Sequence, residues 1–377
     1  MLSQIRQAAH DQSASYLTML QRLVELESPT HDKLSVNLLA NHLESLLKSR
    51  GWQVDRDLQS EVGDHLIAHI SGPGNDSTLI LAHYDTVWPA GTLNDMPFLL
   101  RGGKVYGPGI LDMKGGIAAA ISAVEIVRQL GHIPRGPLTL LITSDEETGS
   151  LHSRHLIERV ALEHERVLVV EPGHPDGGLK NSRKAIGHFR VGFHGISAHA
   201  GNNPQDGASA LRELAHFLFF AEALTDVEKG ISVNVTVATA GSVSNVIAET
   251  AVAEVDLRAQ TISESERIVN EIAGYRPRDE RVQVDIQGGM NRPALEFTDV
   301  NRALFDEAVR LGAAMGIPLT GRLAGGGSDG NFTSALGIPT LDGLGAVGFG
   351  PHMREEHIDL PATLDRIALL ASLICES

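Results

Sequence analysis

Thr78-Leu-Ile-Leu-Ala-His-Tyr-Asp85 starts with five residues free of charge and ends in a histidine and an acid. The uncharged part reads as a buried strand, and the polar end marks where it leaves the sheet. Outward from it the first half of the chain repeats the pattern. Leu66–Ile70, Leu138–Thr143 and Val167–Val170 are strand-like, while Ser35–Lys48 and Met113–Gln129 have helical spacing. Short apolar runs alternating with helices specify an α/β sheet covered on both faces. Ligands of such sheets collect beyond the carboxyl ends of the strands. Here those ends carry His83 and Asp85, then Glu146 and Glu147, then Glu171.

From about Lys184 the pattern changes. Residues 188–194 (HFRVGFH), 231–238, 248–258 and 281–286 read as strands, and 206–223 and 263–274 as helices, in the βαββαβ order of a ferredoxin-like α+β domain. Phe217 and Phe220 fall off the main apolar face of the first of these helices, which suits either a dimer contact or the core. Beyond Pro293 come a helix (Asn301–Met315), a glycine loop (Ala324–Gly330), a strand (Pro339–Leu341) and a terminal helix (Pro361–Ile374), completing the first sheet. The expected organisation is a discontinuous α/β domain, residues 1–183 and 294–377, with a mixed sheet, and an inserted domain, 184–293.

The 377 residues hold 42% hydrophobic and 21% charged side chains, a composition that excludes disordered and fibrous classes. Lys+Arg 31 against Asp+Glu 47 gives a net charge of -16, which repels nucleic acid and anionic membrane. Met1–Ser28 reads as one helix without the features of a secretory signal, so a cytoplasmic location is expected. The single cysteine, Cys375, rules out an internal disulfide and a thiolate metal cluster, leaving His, Asp and Glu to hold any metal.

Each motif taken alone has a plain reading. Asp85 is either a capping acid or the partner that fixes the His83 tautomer. In GPGILDMKGG (Gly107–Gly116), Asp112 reads as a helix cap, as part of a phosphate loop lacking the Gly-Lys-Ser/Thr ending, or as a carboxylate bridging two cations. SDEETGS (Ser144–Ser150) and Glu171-Pro-Gly are solvated turns or metal and acid–base groups. His199 in ISAHAG and His352 in FGPH are loop residues or site residues.

In this order and at these separations, HYDTV, GPGILDMKGG, SDEETGS, EPG, ISAHAG and FGPH resemble the zinc metallopeptidase family of glutamate carboxypeptidases and aminoacylases. That family includes acetylornithine deacetylase and succinyl-diaminopimelate desuccinylase. The resemblance spans the whole chain. It implies a zinc-exopeptidase-like catalytic domain with an inserted lid and dimerisation domain, and two Zn2+ per subunit, with Co2+ or Mn2+ suiting the same donors. On this pattern Asp112 bridges the metals, His83 and Glu171 complete one site, and Glu147 and His352 the other. Asp85 orients His83, Glu146 is the general base, and His199 stabilises the oxyanion in the partner subunit of a homodimer. Arg292, Asn245, Arg258, Gly326 and Gly327 match substrate-facing positions, with Arg292 preferred for a carboxylate. The implied reaction is hydrolysis of a peptide or N-acyl amide next to a free carboxylate; the alternatives are a deacylase of the acetylornithine deacetylase type and a non-catalytic amino-acid-binding relative. Folate-cleaving members carry a lysine where this chain has Gly178, with Lys180 two residues on, so no side-chain preference is carried over.

Overall fold

Alternate residues of the same strands supply two separate apolar clusters, which gives the first sheet its two covered faces. Ile80, Ala82, Leu140, Ile142 and Leu168 join the core formed with the N-terminal helices and the helices Gly115–Gln129 and Leu360–Ile374. Leu79, Leu81, Leu141, Val167 and Val169 face the other way, onto Leu156, Ile157 and Phe332. The strands are β1 (Gln53–Asp57), β2 (His65–Ile70), β3 (Thr78–His83), β4 (Leu138–Thr143) and β5 (Arg166–Val169), and Thr340–Leu341 closes the far edge. Their order is β1-β2-β4-β3-β5 and then Thr340–Leu341. The sheet is mixed: β2 runs antiparallel to β1 and β4, and β3 runs parallel to β4 and β5. Every residue of β3 and β4 is buried, as expected for strands covered on both faces.

The computed structural model describes residues 1–375. The described residues form two units, one of Met1–Ser182, Phe297–Ala324 and the residues from Ser328 to Cys375, the other of Arg183–Glu296 with Gly325–Gly327. Among the described residues no helix is long and apolar enough to cross a membrane.

The second unit contains β6 (Ala185–His194), β7 (Ser232–Ala240), β8 (Thr250–Ala259) and β9 (Gln283–Arg292), with helices Ala210–Ala223 after β6 and Ile262–Ala273 after β8. The antiparallel order β7-β8-β6-β9 is the ferredoxin-like sheet expected of βαββαβ. Phe189, Val191 and Phe193 alternate inward along β6 and meet Leu214, Phe217, Ile268 and Ile272 from the helices.

Three sequence expectations change. The N-terminal stretch is two helices, Leu2–Asp11 and Ser13–Glu25, because Gln12 leaves helical geometry at ψ 8°. Asp112 and Met113 have non-helical backbone, and the helix starts at Gly115 with no side-chain cap, so Asp112 is not its cap. Phe217 is fully buried and packs edge-on against Tyr275 at 5.1 Å, and Phe220 packs on both rings. Phe219, 73% exposed, is the aromatic that faces outward.

The helix Gly115–Gln129 approaches the end of β5 so closely that a Cβ on Gly116 would lie 1.9 Å from the Val170 carbonyl oxygen. Gly116→Ala therefore forces the two backbones apart and should cost about 1–3 kcal/mol. Urea unfolding of the variant beside the wild type checks this; equal midpoints would contradict the close approach.

Candidate metal centre

Strand register sets the site. His83 is paired with Thr143, and Leu81 with Val169, so the polar residues just past β3, β4 and β5 emerge at one edge of the sheet. His83 ends β3, Glu146 and Glu147 lie in the tight turn after β4, and Glu171 stands two residues past β5. The turn Gly107–Lys114 brings Asp112 over that edge. Gly109 there has φ 66°, and a Cβ would lie 2.4 Å from Thr86 Cγ2, so the turn needs glycine. His352 arrives from the loop before Leu360–Ile374, itself in left-handed geometry at φ 63°. A non-glycine residue in that region is strained, a condition concentrated at functional sites.

Asp112 stands between the two imidazoles. Its Oδ1 is 3.2 Å from His83 Nε2, and its Oδ2 is 3.3 Å from His352 Nε2. Beyond His83 lies Glu171 Oε1 at 3.5 Å, and beyond His352 lies Glu147 Oε2 at 3.2 Å. Glu146 also reaches the cluster, since one of its oxygens lies within 4.8 Å of donor atoms of His83 and Glu171. The sheet edge thus gathers His83, Asp112, Glu146, Glu147, Glu171 and His352. Asp85 stands behind them, fully buried. Its Oδ1 lies 3.3 Å from His83 Nδ1, and its carbonyl oxygen 3.0 Å from the same nitrogen. The Asp85 carboxylate also accepts from the backbone N–H groups of Glu146 (3.3 Å) and Glu147 (3.2 Å) and from the Thr30 hydroxyl (2.8 Å).

Charge decides what this cluster can hold. Burial opposes protonation of His83, yet hydrogen bonds to Asp112, Asp85 and Glu171 outweigh it and hold the imidazole well above its ordinary value. Hydrogen bonds to Asp112 and Glu147 raise His352 to about 10. Asp112 is half-buried, and its desolvation favours the neutral form, but hydrogen bonds from the two imidazoles outweigh this and hold it far below the carboxylate range. Burial, with the charge of Asp112 beside it, pushes Glu147 up. The acids demand positive charge, which protons on the histidines or bound cations can supply. The buried Glu147 Oε1 also has no hydrogen-bond partner among the described residues. An orphaned carboxylate oxygen within an all-N/O donor set, with Asp112 presenting one oxygen to each side, fits a pair of divalent cations.

Glu356, which no sequence motif above includes, is part of the site's frame. It is fully buried. Its carboxylate accepts from the backbone N–H groups of Gly109 (3.0 Å), Leu111 (2.9 Å) and Asp112 (3.2 Å) and from Trp88 Nε1 (2.7 Å). Burial pushes its carboxyl up to about 7 against these four donors, which favour the ionised form. One side chain thus ties the Asp112 turn to the segment that follows His352. The available signal was an acid four residues after a candidate ligand.

The remaining predicted residues belong to the second unit. His199 is exposed, and its Nδ1 accepts from the N–H groups of Gly201 and Asn202, both at 3.1 Å, so Nε2 carries the proton of the neutral ring. The Asn245 carbonyl accepts from Ala200 N at 2.9 Å, holding Asn245 against the His199 loop. Arg292 is buried beside Gly327, where a Cβ would lie 2.8 Å from Arg292 Cδ. The carbonyls of Gly326 and Gly327 accept from Arg183 at 3.2 and 2.9 Å. Arg258 grips Asp256 through Nε and Nη2 at 2.9–3.1 Å, so its fork is already engaged.

Comparison with known proteins matches residues 79–376 to the model of peptidase family M20/M25/M40. Carboxypeptidase G2 of Pseudomonas sp. (strain RS-16) is 31% identical over 98% of this chain and 91% of its own length. Succinyl-diaminopimelate desuccinylase of Alkalilimnicola ehrlichii is 30% identical over 70% of this chain and 74% of its own. Among solved structures, aminopeptidase PepT from Bacillus cereus shares the fold with a TM-score of 0.82 at 20% identity, covering 96% of this chain and 98% of PepT. An M20 family metallo-carboxypeptidase from Sulfolobus solfataricus does so with a TM-score of 0.76 at 16% identity, covering 95% and 98%. The chain belongs to peptidase family M20/M25/M40 and is a metal-dependent hydrolase.

Proposed function

We propose that the protein hydrolyses a peptide or N-acyl amide bond next to a free carboxylate, in the manner of a carboxypeptidase or aminoacylase. The observation that carries this reading is the Asp112 carboxylate, held between His83 and His352 with one oxygen toward each. His83, Asp112 and Glu171 would hold one zinc ion, and Glu147, Asp112 and His352 the other; cobalt and manganese suit the same donors. When bound, such a pair polarises the scissile carbonyl and brings the pKa of a water into the neutral range.

The chain's own groups do the rest. Asp85, hydrogen-bonded at Nδ1, keeps His83 in one tautomer and orientation. Glu146 takes the proton of the attacking water and delivers it to the leaving nitrogen. His199 presents a protonated Nε2, the donor that a developing oxyanion requires. The free carboxylate of the substrate is assigned to Arg292, with Asn245, Gly326 and Gly327 as further contacts; Arg258 would first have to release Asp256. A homodimer through the second unit belongs to the same proposal. Its support is the apolar side chains of Phe219 and Leu211, 73% and 51% exposed, beside the unpaired edge of β7.

Glu146→Gln should bind zinc normally and lose about 10²- to 10⁴-fold in kcat; normal turnover of N-acyl-amino acids would remove Glu146 from the base role. Glu356→Gln keeps the shape but removes a charge that holds the Asp112 turn. Its zinc affinity, measured by chelator competition, should fall about 10- to 100-fold with an unchanged circular dichroism spectrum. Equal affinity would reduce Glu356 to packing. If His199 serves the partner's site, mixing inactive Glu146→Ala and His199→Ala chains under subunit exchange should restore part of the activity, and no recovery despite exchange would assign it to its own subunit.

A further inference from the structure

The second unit carries a cleft of about 510 Å3, within the size range of small-molecule sites. Its walls come from the helices Ala210–Ala223 and Ile262–Ala273 and from the segment that follows the second of them. Phe220 and Tyr275, with ring centroids 5.0 Å apart, form an aromatic floor. The charged residues around it are Arg267, Arg276, Arg278 and Glu271, and His216, Asn270 and Gly274 complete the lining. Three guanidiniums against one carboxylate leave an excess of two positive charges, in a chain whose net charge is -16.

A buried acid builds the frame of this cleft. Glu213 accepts from the Tyr275 hydroxyl at 2.7 Å and from the backbone N–H groups of Arg278 at 2.9 Å and Asp279 at 3.4 Å. It thereby fixes the Tyr275 ring and the backbone that carries Arg276 and Arg278, and these donors, not the guanidiniums, satisfy its carboxylate. The other acids nearby are engaged as well. Glu264 holds Arg267 at 2.7 Å, with Glu271 3.9 Å from the same guanidinium, while Asp279 takes Arg281 at 2.8 Å and Arg212 at 3.3 Å. At the helix end, the Asn270 and Ile272 carbonyls already accept from Gly274 N at 2.8 Å and Tyr275 N at 3.1 Å. Among the described residues the Arg276 side chain donates only to the Tyr275 carbonyl, at 3.0 Å, and the Arg278 side chain has no partner.

Two guanidiniums without an acid, beside an aromatic floor held in place, call for an anion to meet the forks and a flat ring to lie against Phe220 and Tyr275. We propose that this cleft is a binding site for a small aromatic anion, an aryl phosphate or an aryl carboxylate. Neither feature suffices by itself. A bare anion at exposed arginines is weakened by water and salt, and a neutral ring leaves the forks unanswered. No residue of the candidate metal centre lines the cleft, and binding there does not require the hydrolysis proposed above.

The test uses the zinc-loaded full chain in saturation-transfer NMR titrations with phenyl phosphate, benzoate, methyl phosphate and benzyl alcohol. Phenyl phosphate or benzoate should bind at least about tenfold more tightly than methyl phosphate and benzyl alcohol, and the tighter of the two aromatic anions identifies the anionic group. Arg276→Gln combined with Arg278→Gln keeps polar side chains at the surface and removes both charges. Its affinity for the aromatic anion should fall about tenfold or more with an unchanged circular dichroism spectrum. Any uptake at the metal centre is common to both proteins, so the difference between them reads the cleft alone. Phe220→Leu, which keeps apolar packing without a ring, should narrow the gap between phenyl and methyl phosphate. Absence of aromatic-anion binding, or binding untouched by the double variant, would overturn the site. Methyl phosphate bound as tightly as phenyl phosphate, or a gap untouched by Phe220→Leu, would also overturn it and leave an adventitious anion patch.

Discussion

The first unit is organised around one carboxylate that must satisfy two imidazoles at once. Asp112 sits among buried acids, and the negative charge gathered there would be costly if left alone. Charge compensation explains why the histidines are drawn to it from opposite ends of the chain, and why backbone geometry is adjusted to permit it. The turn before Gly115 departs from helix, and His352 accepts a left-handed backbone. Burial alone would keep His83 neutral; the neighbouring acids reverse that preference. The same demand for positive charge makes a cation pair a chemically suited occupant.

Much of this was legible in the sequence because a strand buried on both faces cannot hide where it ends. Each uncharged run stops at its polar cluster, and parallel neighbours in register bring those clusters to one edge. His83, Glu147 and Glu171 could be read this way, and their convergence required only that the runs belong to one sheet. The βαββαβ order of the second unit was equally plain, since alternation along residues 188–194 survives as the inward row Phe189, Val191 and Phe193.

The rest depended on contacts that no local pattern encodes. Asp112 has the spacing of a helix cap, and only the long-range donation from its turn to Glu356 shows why the helix starts later. Glu355 and Glu356 look alike as neighbouring acids, yet one meets four donors from distant segments and the other does not. Phe217 and Phe219, two positions apart, lie about 200° apart around the helix, and the contact with Tyr275, from another element, shows which of the two faces the core. The break at Gln12 carries no glycine or proline, so the two N-terminal helices read as one.

The tie between Glu356 and the Asp112 turn has a consequence for biosynthesis. On the ribosome, the strands bearing His83, Glu147 and Glu171 emerge early, the whole second unit follows, and the chain returns to the first unit last. Until residues 352–356 leave the exit tunnel, Asp112 lacks one imidazole and its turn lacks the carboxylate that closes it. The nascent protein therefore exposes an acidic half-site, able to attract cations without the geometry to use them. Translation that stops short of Glu356, or proteolytic loss of that terminal segment, leaves a fragment with most of the sheet and none of the finished centre. Completion of the centre therefore waits for residues 352–356, which supply both the second imidazole and the carboxylate that closes the Asp112 turn.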